Sequence, residues 1–153
     1  MHYLVHSVVE VYTAPTSVGL KEDILEAFSQ DTSLRILVAT VAFGMGIDYP
    51  DIRQVVNFGV PVNAEDLVQQ SGRAGRDGQP AKTYVIRNNL LPGTSTTIKH
   101  FVEKNPKQCR RKILFTPFFG VTDVKSADPL CSCCDFCTKL SKCGNCDTQN
   151  EFA

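Results

Sequence analysis

The distribution of cysteine constrains this chain more than any other feature of its sequence. All seven cysteines lie between Cys109 and Cys146, and the 108 residues before them contain none. A secreted disulfide scaffold would spread its bridges through the whole chain. Thiols gathered behind a cysteine-free portion instead indicate a metal site in a reducing compartment. The sequence therefore predicts two units with different stabilising chemistry.

Length and composition exclude several classes of protein. The 153 residues suffice for one ordinary domain, or for a small domain with an appendage. A hydrophobic content of 42% and a charged content of 21% exclude a disordered tail, a collagen-like repeat and a coiled coil. No stretch approaches the roughly 20 apolar residues of a membrane span, and the first residues lack a basic leader. We expect a soluble intracellular chain with no membrane partner.

A basic strip lies between Lys99 and Lys112, although the formal net charge of the chain is zero. Its six cations are opposed only by Glu103, and they are Lys99, Lys104, Lys107, Arg110, Arg111 and Lys112. A strip of this kind is typical of a phosphate-binding face, and it is equally typical of a solvated helix. Both interpretations stay open on the sequence alone.

Short apolar runs alternate with helical patterns in the first part of the chain. The predicted helices begin at the N-caps Ser17 and Asn63, and the predicted strands cover residues 35–40, 53–58 and 83–86. The first of these strands reads as buried on both faces. The alternation predicts an α/β fold, with a parallel sheet and helices on its faces. Beyond Pro92 and Gly93, helices over 95–104 and 108–115 lead into the cysteine-rich tail.

Two loops are suited to binding a ligand at the carboxyl ends of parallel strands. The first runs from Thr40 to Asp48 and combines a hydroxyl group, two glycines and a carboxylate. It fits either close approach of a ligand or a tight loop that needs glycine. The second loop carries Arg73 and Arg76 in a glycine-rich turn, with Gln69 one helical turn earlier. Guanidinium groups match phosphate oxygens bidentately, so this loop favours a phosphate-binding role over an incidental surface turn.

The two loops together resemble motifs V and VI of the RecQ family of superfamily 2 DNA helicases. The matching segments are Ala39–Asp48 and Gln69–Gly78, and the strand between them, which ends in Val56-Asn57-Phe58-Gly59-Val60-Pro61, also fits. The resemblance runs from about Tyr12 to Cys137. Tyr49 departs from the family pattern, where Lys is common, and so does Gln70, where Glu is common. Neither departure removes a phosphate contact.

The resemblance implies a role for individual residues. Thr40 would contact the DNA backbone, and Gly46 and Asp48 would face the nucleotide. Gln69 would couple ATP to DNA, and Arg73 and Arg76 would be arginine fingers that act on ATP. Lys107, Arg110 and Arg111 of the basic strip would add DNA contacts. The implied partners are ATP and single-stranded or forked DNA.

The cysteines also resemble a known part of this family, its zinc-binding subdomain. The resemblance and the regular spacing of Cys131, Cys134 and Cys137 imply that these three bind a structural Zn²⁺ together with Cys109. That spacing leaves Cys133 out. The pair Cys143 and Cys146 could bind a second metal with a further thiol, but a spare pair is the favoured interpretation.

The sequence contains neither a G-x-x-x-x-G-K-[ST] phosphate loop nor a D-E-x-H motif. We therefore expect residues 1–92 to form an incomplete second RecA-like domain, residues 93–146 a helical hairpin with the zinc subdomain, and residues 147–153 a tail. ATP and Mg²⁺ would bind only together with a first motor domain. The family's ATP-driven 3′-to-5′ unwinding is thus not expected of this chain alone.

Two further functions remain open beside a helicase half. One is a non-enzymatic, zinc-stabilised DNA-binding or adaptor module that reuses a helicase half. The other, less well supported, is a protein-interaction module without a DNA role. The family's role in the repair and recombination of chromosomal DNA implies a nuclear location in a eukaryote, or a cytoplasmic one in a bacterium.

Overall fold

The predicted alternation of helices and strands is present in the structure, a computed structural model that describes residues 7–30, 32–40, 49–87, 93–120, 124 and 130–141. In chain order the elements are β1 (Val9–Tyr12), α1 (Val18–Ser29), β2 (Ile36–Ala39), β3 (Gln54–Phe58), α2 (Ala64–Ser71), β4 (Lys82–Ile86), α3 (Thr96–Phe101), α4 (Arg110–Phe119) and α5 (Asp135–Ser141). A 3-10 helix over Leu130–Ser132 precedes α5.

The strands pair within two two-stranded sheets. Strands β1 and β2 are parallel, in a register that places Val9 opposite Ile36 and Tyr12 opposite Ala39. Strand β3 is bonded to β4. Helix α1 connects the first pair and α2 connects the second, as parallel strands require. The predicted α/β class with parallel strands and a cysteine-containing helical region is confirmed.

Contacts divide the described residues into two compact units. The first contains those of Met1–Val55 and Gln69–Lys82, and the second contains those of Val56–Val68 and Thr83–Ala153. In the first unit the side chain of Ser17 caps α1 by accepting from the Leu20 N–H. The apolar face of α1 then packs on the strands, because its apolar residues recur at helical spacing. The resulting core contains Ile24, Ala27 and Leu34, with Tyr12, Leu20, Phe28 and Leu37 packed against it.

The second unit has a core of its own, built from helices. Its buried residues are Ala64, Leu67, Ile98 and Leu114, and Val60, Val68, Val85, Phe101 and Phe115 pack against them. The side chain of Ser95 begins α3 by accepting from the Ile98 N–H. Helix α3 ends at Phe101, three residues before the end that the sequence predicts.

Strand β2 differs from its prediction. The run over 35–40 reads as buried on both faces, yet Ile36 and Val38 are each 52% exposed. Among the described residues β2 pairs with β1 alone. A two-stranded sheet covered by one helix leaves its other face open, so the prediction of a doubly buried strand is wrong.

None of the described helices is long and apolar enough to cross a membrane. The predicted domain boundary near Pro92 stays a prediction, since residues 88–92 lie outside the described part of the chain.

Candidate nucleotide-facing turn and metal centre

The second predicted loop follows α2 without a break in hydrogen bonding. The side chain of Asn63 caps this helix by accepting from the Asp66 N–H at 2.8 Å. Beyond the last residue of α2, the Arg73 N–H donates to the Gln70 carbonyl at 3.3 Å and the Ala74 N–H to that of Ser71 at 3.1 Å. The helix therefore tightens into turns that place both arginines at fixed positions along the backbone.

The glycine-rich segment Gly72–Gly78, called the arginine turn below, is held by backbone bonds to the segment Pro50–Arg53. The Gly75 N–H donates to the Ile52 carbonyl at 2.9 Å, and the Asp77 N–H donates to that of Pro50 at 3.2 Å. Main-chain bonds on both sides of Arg76 restrict how far that residue can move. The arginine turn is consequently a preorganised support for its side chains.

Glycine is required at one position of the turn. Gly75 has a φ of +70°, in the left-handed region, and a Cβ there would lie 2.9 Å from the Gln79 carbonyl oxygen. The chain closes on itself at this point, with the Gly78 N–H donating to the Gly75 carbonyl at 3.0 Å. The backbone conformation therefore requires glycine at position 75, whether or not a ligand approaches the turn.

An ion pair fixes the end of the arginine turn. The Arg53 guanidinium contacts the Asp77 carboxylate, and it also donates to the Asp51 carbonyl at 2.9 Å. The backbone N–H of Gln79, and then Arg53, hold the pKa of Asp77 below its ordinary value of 3.8. Arg53 is thereby engaged in support of the turn, a role that its sequence context did not indicate.

The two arginines of the arginine turn differ in their exposure to solvent. Arg76 is exposed and its Nε donates to the Gly72 carbonyl at 3.2 Å, within the turn itself. Arg73 is half-buried, and Gln69 is exposed on α2. All three belong to the first unit, as does Thr40, which is exposed directly after β2 and donates its N–H to the Tyr12 carbonyl at 3.4 Å. Gly46 and Asp48 lie outside the described residues.

Tyr49 has a packing role. Its hydroxyl donates to the Leu25 carbonyl at 2.7 Å, and its ring meets that of Phe28 edge-on with centroids 5.4 Å apart. Burial, followed by the effect of Tyr12, raises the pKa of Tyr49. The residue that departs from the family pattern therefore ties the chain to α1 just before the segment that supports the arginine turn.

Four cysteine sulfurs come together in the second unit. The Sγ atoms of Cys109, Cys133, Cys134 and Cys137 all lie within 4.8 Å of one another. Cys109 and Cys137 are buried, and all four are free thiols. Burial raises the pKa of the Cys137 thiol, and hydrogen bonds with Cys109 and Cys134 add to that rise. Four thiols this close cannot all ionise without a cation among them.

The group differs from the predicted ligand set at one residue, since it contains Cys133 in place of Cys131. Cys131 lies in the 3-10 helix, and Cys134 precedes the first residue of α5. Cys131 and Cys134 therefore do not belong to one continuous helix, and their equal spacing in the sequence does not give equal spacing in space. Cys133 follows the 3-10 helix, and its Sγ lies 3.5 Å from that of Cys109. Cys143 and Cys146 lie outside the described residues.

The geometry of the group fits a tetrahedral metal ion. Four sulfurs bound to Zn²⁺ at about 2.3 Å lie about 3.8 Å from one another. The Cys109 sulfur is 3.5 Å from that of Cys133 and 3.9 Å from that of Cys134, values on either side of this distance. The cysteine cluster can therefore bind a metal ion without a large rearrangement.

Arg110 supports the cysteine cluster from outside it. Its Nε and one Nη donate to both carboxylate oxygens of Asp135, at 2.6 and 2.9 Å. Further N–H groups donate to the carbonyls of Phe101 and Glu103. Since Arg110 follows Cys109 and Asp135 follows Cys134, this bidentate pair joins the two chain segments that bring the thiols together.

The contacts of Arg110 alter the interpretation of the basic strip. Its side chain is only 17% exposed and donates four intramolecular hydrogen bonds, so most of its five N–H donors are engaged within the protein. Arg110 therefore has a structural role, and its contact with DNA stays a prediction. Lys107 and Arg111 are exposed, and nothing in the structure removes them from the predicted interface.

Comparison with known proteins shows which family the chain is similar to. Residues 4–78 match the helicase conserved C-terminal domain, which defines the class of protein. The chain is 34% identical over 167 residues to the ATP-dependent helicase wrn-1 of Caenorhabditis elegans, covering 92% of this chain and 15% of that protein. It is 31% identical over 153 residues to the RecQ-like DNA helicase blm-1 of the same organism, covering 87% and 15%. It is 48% identical over 77 residues to the human ATP-dependent DNA helicase Q4, covering 50% and 6%.

These matches identify the chain as a C-terminal region of the RecQ helicase family. The chain spans less than a quarter of the length of each of these relatives.

Proposed function

We propose that this chain is the part of a RecQ-like, ATP-dependent 3′-to-5′ DNA helicase that delivers arginine fingers to ATP and contacts the DNA. The observation that carries the proposal is the anchored arginine turn. Backbone bonds to Ile52 and Pro50 hold the turn on both sides of Arg76, while the Arg76 side chain stays exposed. A finger needs this combination of a fixed backbone and an accessible guanidinium group.

The proposed finger acts on a nucleotide that another domain holds. Arg76 would stabilise the negative charge that develops on the γ-phosphate, and Arg73 would bind the same phosphates from the half-buried side of the turn. Gln69 and Thr40 would connect this site with the DNA backbone. The 153 residues contain no phosphate loop, which supports the proposal that this polypeptide does not turn over ATP by itself.

The finger role is tested by joining the chain to the first motor domain of a RecQ relative and measuring DNA-stimulated ATP hydrolysis. Arg76→Ala should lower kcat by about 10³-fold or more while DNA affinity stays nearly unchanged. Arg76→Lys is the matched control, because it keeps the charge and loses the planar fork. Equal losses of ATP turnover and DNA affinity in Arg76→Ala would contradict the finger role. Robust ATP hydrolysis by the unjoined chain would refute its proposed dependence on a second domain.

We further propose that the metal of the cysteine cluster is a structural zinc ion. A set of four thiols is typical of closed structural zinc sites. Zinc bound there would add its binding energy directly to the folding of the second unit. Metal analysis of the purified chain should give one zinc per molecule, and a different metal or none would overturn this assignment.

The DNA interface is proposed to include Lys107 and Arg111, which are both exposed and lie two residues before and after Cys109 in the sequence. A phosphate-binding face makes affinity fall steeply with salt. Affinity for DNA that does not change between roughly 50 and 200 mM salt would favour the protein-interaction module without a DNA role. The proposed work on chromosomal DNA predicts a nuclear location in a eukaryotic cell and a cytoplasmic one in a bacterium.

An immunoblot of endogenous protein with an antibody against residues 109–146 tests whether the chain operates within a larger helicase. A band several times larger than 16.9 kDa is expected. A single band at that mass would contradict the proposal that a complete motor contains this region.

A further inference from the structure

Helix α4 carries an exposed aromatic group that neither the arginine turn nor the cysteine cluster uses. Phe118 is 42% exposed and Phe119 is 59% exposed, at the carboxyl end of the helix. Phe115, one turn earlier, is half-buried and packs against the core of the second unit. The inner ring is therefore fixed by packing, while the two outer rings are partly exposed.

The three rings are tilted against one another and are not stacked in parallel. The centroids of Phe118 and Phe119 lie 6.4 Å apart with an interplanar angle of 51°. Phe115 lies 6.4 Å from Phe118 and 6.1 Å from Phe119, again with tilted rings. Parallel stacking would bring the planes much closer, so the three rings leave room for another flat group against the outer pair.

Cations share this side of the helix. Arg111 precedes Phe115 by four residues and Phe118 by seven, and Lys112 precedes Phe119 by seven, so all lie along one side of α4. The Arg111 guanidinium lies 5.6 Å from the centroid of the Phe115 ring. The sequence of α4 contains no acidic residue. The surface combines flat apolar rings with positive charge that no acidic residue of α4 balances.

We propose that Arg111, Lys112, Phe118 and Phe119 form a stacking surface for the bases of single-stranded DNA, which rests on the proposed helicase function. Phosphates would contact Arg111 and Lys112, and one or two unpaired bases would stack on the outer rings. Aromatic platforms beside cations are the general means by which proteins bind single strands without reading their sequence. Bases within a duplex have no free face for such rings, so the surface selects the unwound strand.

The test compares two fluorescent 15-mers, one of thymidine and one of the same length without bases, in anisotropy titrations with the zinc-loaded full chain. The wild-type chain should bind the thymidine strand at least about fivefold more tightly than the abasic strand. The double variant Phe118→Ala/Phe119→Ala should lose that preference and keep its affinity for the abasic strand. Arg111→Ala should weaken binding to both strands by a similar factor.

Phe58→Ala is the matched control, because Phe58 is 92% exposed in the same unit and lies outside the proposed surface. It should retain the base preference. The double variant Phe118→Tyr/Phe119→Tyr keeps an aromatic ring at both positions, so it should also retain the base preference. This comparison separates the loss of ring stacking from a general loss of the fold. Thermal unfolding and zinc content are measured for every variant.

Each outcome has a distinct meaning. Equal binding of the two strands by the wild-type chain, or an unchanged preference in the double alanine variant, would overturn the stacking surface and leave the helicase proposal intact. Absence of binding to either strand by the folded, zinc-loaded chain would overturn both proposals.

Discussion

The arginine turn and the cysteine cluster reach a fixed geometry by opposite means. The turn spans seven consecutive residues and is held by main-chain bonds to a nearby segment, which leaves Arg76 exposed. The cluster brings Cys109 together with three thiols that follow it by 24 or more residues, and the Arg110–Asp135 ion pair joins the two segments. A contiguous motif carries its geometry within its own sequence. A cluster assembled from distant segments acquires its geometry only when the chain folds around it.

Removal of one thiol from the cysteine cluster should give the largest effect on either region. Cys133→Ser should lower zinc affinity by more than about a hundredfold, since loss of a ligand exceeds the effect of losing a residue that only orients a ligand. The second unit should then unfold at lower temperature. Zinc content after dialysis against a weak chelator, together with thermal unfolding, measures both effects. Cys131→Ser is the control and should be mild. A reversed order would restore the ligand set that the sequence spacing predicts.

The support of the cluster predicts the next largest effect. Arg110→Ala removes a bidentate ion pair and two bonds to backbone carbonyls, so it should lower the free energy of unfolding by about 2–3 kcal/mol. Partial exposure of Asp135 keeps the loss from being larger. Chemical denaturation of the zinc-loaded chain measures it. Arg111→Ala is the neighbouring control and should leave stability nearly unchanged. Equal stability losses would show that Arg110 has no special supporting role.

The arginine turn predicts a smaller, local effect. Gly75→Ala should cost about 1–2 kcal/mol, because the new Cβ enters a left-handed conformation and meets the Gln79 carbonyl. Gly78→Ala provides the comparison, since its φ is +78° and a Cβ there meets no atom within 4 Å. Thermal unfolding of both variants should place Gly75→Ala below Gly78→Ala. Identical values would mean that the turn can relax and is not preorganised.

The smallest effect concerns the carboxylate that ends the turn. The pKa of Asp77 is lowered in the folded chain, so its contribution to stability is complete above about pH 3.8 and is lost as the pH falls through the folded-state pKa. The carboxyl ¹³C shift of Asp77 should give a midpoint below 3.8. Arg53→Ala should leave part of this depression in place, because the Gln79 N–H is the first cause of it. A midpoint at the ordinary value in Arg53→Ala would make the ion pair the main cause.

Local patterns of residues predict the α/β class, the helix caps at Ser17 and Asn63 and the approximate positions of the strands. The caps are confirmed by the bonds that those side chains accept. The exposure of Ile36 and Val38 could not be predicted from the sequence, because it depends on how many strands pair with β2. Exposure of this kind is a tertiary property that a short apolar run does not encode.

The same division holds within the sites. Three of the four clustered thiols could be named from the sequence, and the choice between Cys131 and Cys133 could not, because it depends on where a 3-10 helix gives way to α5. Arg110 and Arg111 are adjacent and chemically identical in the sequence. Contacts with Asp135 and with the carbonyls of Phe101 and Glu103 separate the half-buried residue from the exposed one. The finger roles of Arg73 and Arg76 stay predictions.

The core of the first unit also has a consequence for how the chain comes to be folded. Its members all fall between Tyr12 and Leu37, within the single segment that forms β1, α1 and β2. Contacts of such short sequence separation form quickly, and a growing chain can make them before later residues are synthesised. The cysteine cluster must wait until Cys137 has been added. We therefore expect the order of synthesis to be the order of folding, with metal capture as the last step.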